Sequence, residues 1–182
     1  MAAPGRKNRL SAPLMHAFRA ASEANDAKKR VDIRDESGER VIAGRRSTGR
    51  GVITEQGLKR EVSRDLDALM NAINLGSSID LAPFPYVSRS VLNHGFPDVT
   101  HRSIDETSVA DIRGEIAEVL ASFEPRLNRN SLKVARDTSV DAVSLKTRFI
   151  VQADLCSDPV DVPVEFVAEV ELDTGKIVIN RL

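Results

Sequence analysis

Val143-Ser-Leu-Lys-Thr-Arg-Phe-Ile-Val-Gln-Ala-Asp-Leu155 and Val162-Pro-Val-Glu-Phe-Val-Ala-Glu-Val-Glu-Leu172 are the two stretches whose reading decides the fold. In the first, Val143, Leu145, Thr147, Phe149, Val151, Ala153 and Leu155 alternate with Ser144, Lys146, Arg148, Ile150, Gln152 and Asp154. A period of two describes one long strand with a single buried face. The second alternates in the same way, and Asp173-Thr174-Gly175 then turns the chain into Lys176-Ile-Val-Ile-Asn180, which reads as a hairpin. With a weaker strand around Leu132 to Arg136, these segments predict a four-stranded antiparallel meander.

Upstream of the strands the period changes to that of a helix. Leu58, Val62, Leu66, Leu69, Met70 and Ile73 share one face of a helix that Thr54 caps and Gly76 stops. Residues 76–87 read as a loop, with Ser88 to His94 as a short helix closed by Gly95. A second main helix starts at one of two rival capping boxes, Ser103-Ile-Asp-Glu106 or Ser108-Val-Ala-Asp111. Its stripe is Val109, Ile112, Ile116, Val119, Leu120 and Phe123, and Pro125 ends it because the residue before a proline is pushed out of the helical region. Helices followed by strands predict an α+β domain over residues 54–182, two main helices plus a short one packed on the four-stranded sheet.

Residues 1–53 read as an extended, largely disordered amino-terminal arm. Within it lies an apolar island, Leu10-Ser-Ala-Pro-Leu14-Met15-His-Ala-Phe18, in which Pro13 suits the first turn of a short helix and Ser11 its cap. The polar stretch that follows, up to residue 53, isolates this island from the first strong helix. An island on such a tether reads as a docking segment over residues 10–20, with Leu10, Leu14, Met15 and Phe18 as its contacts, against the plainer alternative of a segment packed on its own domain. Residues 1–60 carry 14 Lys/Arg against 7 Asp/Glu, and residues 61–182 carry 12 against 20. The net charge of −1 therefore conceals a basic first third and an acidic remainder. Because the basic residues are dispersed among acids, a solvated arm is the expectation and nucleic-acid binding is not.

The same inventory offers no chemistry. No phosphate loop, nucleophile motif or metal-ligand spacing occurs, so neither catalytic residues, cofactor nor metal is expected. His16, His94 and His101 stand in unrelated contexts, and Asp154, Asp158 and Asp161 lack the glycine and closing glutamate of a calcium loop. Cys156 reads as a small packed residue at a strand end without thiolate activation. Tryptophan is absent and aromatics make up 4% of the chain, which leaves few stacking platforms for sugars or single-stranded nucleic acid. One cysteine, no span-length apolar run and no signal-like start lead to the expectation of a cytoplasmic protein without direct membrane insertion.

One local sequence stands out, Phe123-Glu124-Pro125-Arg126-Leu127, where Glu124 and Arg126 are placed across a turn to pair with each other or with backbone groups. Joined to the Val62-Ser-Arg-Asp65-Leu-Asp67-Ala-Leu-Met-Asn71 helix, the Ser90-Val-Leu-Asn-His94-Gly-Phe-Pro97-Asp98 loop and the closing strands, it resembles the contractile-tail baseplate family of TssE. That family also includes a wedge component of contractile phage baseplates once labelled lysozyme-like. The resemblance spans about residues 54–182, and the island at Leu10 to Phe18 is similar to the extension of TssE proteins. His94 stands where the resemblance leads one to expect an aromatic residue.

The resemblance implies a structural part of a type VI secretion baseplate, joined with TssF, TssG and TssK in wedges and presenting a sheet to the TssB/TssC sheath. It places Glu124, Pro125, Arg126 and Leu127 at the sheath junction and the island at the wedge. The last strand, with Ile177, Val178 and Ile179, runs almost to Leu182 and is expected to offer an edge to which another chain adds. Glu124 and Arg126 form either a buried pair or an exposed interface pair, and the resemblance favours the interface. The alternatives are a phage tail wedge protein and a peptidoglycan hydrolase. Hydrolysis needs a carboxylic acid, and a cationic partner at Glu124 favours the carboxylate instead.

Overall fold

The structure is a computed structural model and describes residues 10–23, 25, 52–100, 106–137 and 146–180. Residues 26–51 of the expected polar tether over 19–53, the helix start at Ser103, the strand residues Val143 and Leu145, His101 and the end of the chain at Leu182 lie outside these residues. The chain divides into two compact units, residues 1–61 with 157–160 and residues 62–156 with 161–182. The division falls inside a helix, where the sequence reading draws a boundary at 53/54.

In the first unit a two-residue strand, β1 (Leu10–Ser11), pairs antiparallel with β2 (Val52–Ile53), Leu10 opposite Ile53. Helix α1 (Leu14–Glu23) follows β1, and α2 (Glu55–Met70) follows β2. Thr54 caps α2, its Oγ1 accepting the Gly57 N–H at 3.1 Å. The arm at 10–11 is thus tied into a strand pair, and Leu10 and Ile53 are buried.

The second unit holds the core. Its strands β3 (Lys133–Arg136), β4 (Lys146–Leu155), β5 (Val162–Glu171) and β6 (Ile177–Asn180) form an antiparallel sheet in that order. The alternation read from the sequence is the alternation of burial: Thr147, Phe149, Val151, Ala153 and Leu155 of β4 and Val162, Val164, Phe166, Ala168 and Val170 of β5 are buried. The other face is mostly polar, with Lys146 opposite Glu171, Arg148 opposite Glu169 and Gln152 opposite Glu165, and with Ile150 opposite Val167 among them. Gly175 takes a left-handed φ of 68° at the turn before β6, as the hairpin requires. Helix α4 (Glu106–Phe123) buries Val109, Ile112, Ile116, Val119 and Leu120, and α2 buries Val62, Leu66, Leu69 and Met70 in this unit. These stripes and the apolar sheet face make up one core.

Three local expectations change. Helix α2 stops at Met70 rather than at Gly76, because the Asn71 side chain donates back to the Asp67 carbonyl at 2.8 Å and reaches across to β6. Ile73 is consequently outside the helix and 65% exposed. The short helix near Ser88 is split into α3 (Pro85–Ser88) and a 3-10 turn at Val91–Asn93, with Ser90 capping the turn through its hydroxyl. Ser108 lies within α4, so it does not cap that helix. Gly95 keeps its place for a steric reason. Its φ is 133°, and an added Cβ would collide with the Ala72 carbonyl, which accepts the Phe96 N–H at 2.7 Å.

Candidate functional site

Proline at position 125 ends α4, and the chain turns immediately onto the sheet. Leu127 bridges Leu155, while the Cys156 N–H donates to the Arg126 carbonyl at 2.7 Å and the Asn128 N–H to the Asp154 carbonyl at 2.9 Å. Backbone bonds on both sides of Arg126 therefore clamp the turn to the end of β4. Within it, Arg126 Nε donates to Glu124 Oε1 at 2.6 Å, Nη2 bonds Glu124 Oε2, and the Arg126 N–H donates to Oε1 at 3.2 Å. This is the bidentate fork geometry that makes arginine and carboxylate a strong pair. The same Nη2 lies 2.9 Å from Asp65 Oδ2 on α2, so one guanidinium ties the turn after α4 to α2.

Glu124 is 4% exposed and Arg126 and Asp65 retain 21% and 27% of their side-chain surface. The exposed interface pair favoured by the sequence reading is thus replaced by a buried carboxylate under a guanidinium that reaches the surface. Packing of the helix exit onto β4 covers Glu124, an effect no local pattern encodes. Burial works against the Arg126 charge, and the Glu124 and Asp65 carboxylates outweigh it, holding the guanidinium above its ordinary pKa. Leu127 is buried where it bridges Leu155 at the end of β4. Cys156, expected to be packed, is exposed beyond the strand end.

Helix α1 is inverted with respect to an ordinary surface helix, which turns apolar residues inward. Leu14, Met15 and Phe18 are 78%, 53% and 63% exposed. Its polar side instead meets α2: Arg19 Nη1 donates to Glu61 Oε2 at 2.6 Å, and His16 Nδ1 lies 3.3 Å from Glu61 Oε1. Leu10, grouped with the apolar three by sequence, differs from them, since it is buried in the strand pair.

Strand β6 is an edge of the sheet, and the structure sorts its residues by direction. The Glu171 N–H donates to the Lys176 carbonyl, so alternation turns the backbone groups of Val178 toward β5 and those of Ile177 and Ile179 outward. The sequence treats Val178 and Ile179 alike, and they are not alike. The turn at Glu124 sits at the end of β4, two strands away from β6, so the structure does not bring these two candidate regions together.

Sequence reasoning missed two features. Asn71 binds the outward groups of Ile177, its Nδ2 donating to the carbonyl at 2.8 Å and its Oδ1 accepting the N–H at 3.0 Å. A helix-end asparagine gave no hint of a partner 106 residues away. The segment after α2 also exposes Ile79, Phe84 and Tyr86, which a reading of 76–87 as loop passed over, and Val91 and Leu92 of the segment read as a short helix. His94 does the packing expected of an aromatic there, its ring meeting Phe123 edge-on with centroids 5.4 Å apart. Among the described residues no group of His, Cys, Asp or Glu could hold a metal ion, and no helix is long and apolar enough to cross a membrane.

Compared with known proteins, the chain matches a family model described as baseplate wedge protein gp25 over residues 56–160, more than half its length. No curated protein and no solved structure gives a match.

Proposed function

The chain belongs to the baseplate wedge protein gp25 family, which includes TssE, and from that premise we propose that it is the component of a type VI secretion baseplate that links the wedge to the first sheath ring. As a member of this family it is a contractile-tail baseplate component. The observation that carries the finer reading is the inverted helix α1, joined to a segment similar in sequence to the TssE extension. Leaving Leu14, Met15 and Phe18 in water while polar side chains hold the helix down favours a partner that buries all three, at roughly 1.5–3 kcal/mol for each large apolar side chain covered. That partner is the TssF/TssG wedge, with TssK bound to it, and the sheet edge at β6 serves TssB/TssC.

The role is structural. Both carboxylates buried among the described residues, Glu61 and Glu124, have their oxygens engaged by arginine, Arg19 and Arg126, in ion pairs within the chain, whereas glycoside hydrolysis needs two carboxyl groups placed across a substrate cleft. The protein works in the cytoplasm, where sheath assembly takes place.

A tagged full-length protein recovered from its native cell is expected to bring down wedge and sheath proteins together. Replacing Leu14 and Phe18 with Ser should remove the wedge proteins from the eluate and shift stability by no more than about 0.5 kcal/mol, as for surface substitutions. Recovery of the wedge proteins by the double variant at the wild-type level would overturn the docking role, and an eluate without either set would overturn the assignment.

A further inference from the structure

The outward-facing edge of β6 is not uniformly open. Each residue whose backbone faces away from β5 presents one N–H and one C=O to an incoming strand. Ile177 and Ile179 are the two such residues in β6. At Ile177 both groups are already used by one side chain, because the Asn71 amide offers a carbonyl and an N–H in the same arrangement as a peptide group. Asn71 is itself held, since its Nδ2 also donates to Asp67 O at 2.8 Å and its backbone N–H to the same carbonyl at 3.2 Å. At Ile179 no described residue takes the outward groups.

We propose that Asn71 is an end-stop on the β6 edge, which fixes the register of an added strand by closing Ile177 to backbone pairing while Ile179 stays open to it. The occupant is an extended segment of a sheath subunit, so the inference rests on the strand-addition reading above. Its sequence is apolar opposite Ile179, which shares the face of the buried Ile177, and tolerant opposite the outward side chain of Val178. The opposite edge of the sheet fits less well. Strand β3, four residues long like β6, carries exposed Lys133 and Arg136, the kind of charge that blunts an edge against pairing, whereas Val178 and Ile179 are uncharged and half-buried. Without the stop, a strand sliding by two residues keeps its side chains on the same faces, so side-chain alternation alone cannot prevent that slip.

Residue-resolved amide hydrogen exchange on the full chain, alone and with purified TssB/TssC sheath subunits, tests this. Alone, the Ile177 amide is expected to exchange about tenfold more slowly than that of Ile179, the scale of one net hydrogen bond. Asn71→Ala should abolish that difference. With sheath subunits, protection should appear at Ile179 in both proteins and spread to Ile177 by pairing only in Asn71→Ala. Absence of added protection at Ile179 in the wild type would refute strand addition at β6 itself. Protection at Ile179 together with an Ile177 amide that stays open in Asn71→Ala would refute the end-stop and leave strand addition standing. Should Asn71→Ala fail to fold, Asn71→Ser carries the same comparison, because its hydroxyl is too short to bridge both groups of Ile177. Ile179→Pro removes the outward donor without touching the hairpin bonds, so a folded Ile179→Pro protein that binds sheath subunits as well as wild type also overturns the pairing site.

Discussion

At Arg126 one side chain holds three things together: the buried Glu124 carboxylate, Asp65 on α2 and, through its own backbone, the end of β4. Removing the guanidinium leaves Glu124 covered by protein without its counter-charge. Breaking a buried pair costs roughly 3–5 kcal/mol, and the surface that Arg126 retains puts Arg126→Ala near the lower figure. Asp65 is more accessible, and its loss leaves the bidentate bond to Glu124 intact, so Asp65→Ala should cost no more than about 1 kcal/mol. Urea unfolding of the two variants checks the asymmetry. Equal midpoints would mean that Glu124 is hydrated in solution and that the turn is an ordinary helix terminus. If Asp65→Ala is as stable as wild type and yet impairs sheath assembly, the cluster also serves the interface that the sequence resemblance assigns to it.

Among the elements, the β4–β5 pair carries the clearest electrostatics. On its polar face Lys146 Nζ lies 2.6 Å from Glu171 and 3.2 Å from Glu169, and Arg148 Nε lies 2.7 Å from Glu169. Arg148 first and Lys146 second hold Glu169 below its ordinary pKa, and Lys146 and Thr174 do the same for Glu171. Carboxylates depressed in the folded state contribute stability above their unfolded pKa and lose it as pH falls through the folded value. Lys146 is raised by Glu171 and Glu169, so its contribution is complete below the ordinary lysine value and fades only as pH rises through the folded one. The Lys146→Met variant should therefore be less stable than wild type near neutral pH, and the gap should close once both glutamates are protonated and also in high salt. A gap that is the same at neutral and acid pH would show that Lys146 contributes through packing of its stem instead.

Taken as a whole, the molecule has the opposite charges expected of a basic arm and an acidic domain, +7 over residues 1–60 and −8 over the rest. Such an arm attracts polyanions in proportion to how many phosphates it reaches at once. Some of its charge is spoken for in the structure, since Arg19 is bound to Glu61 and Lys59 to Glu55. The protein is therefore expected to leave duplex DNA unshifted at about 50 mM salt, where counterion release most favours binding. A shift that disappears on deleting residues 1–50 would establish a nucleic-acid role for the arm.

The sheet and the helical stripes were legible from the sequence because their information is periodic and local. A strand with one buried face must alternate, as Phe149, Val151 and Leu155 do, and a helix on a core must repeat Val62, Leu66 and Leu69 on one side. Thr54 and Pro125 were legible for the same reason, since capping and helix termination act within one turn. What only the tertiary structure decided depends on groups far apart in sequence. Asn71 ends α2 early and seals Ile177 across 106 residues, Glu124 is buried because its turn is sewn to β4, and α1 shows its apolar side to solvent because Glu61 holds the polar one. Periodicity marks which residues are apolar, but whether each is covered, and by what, is settled by contacts that no window of sequence contains.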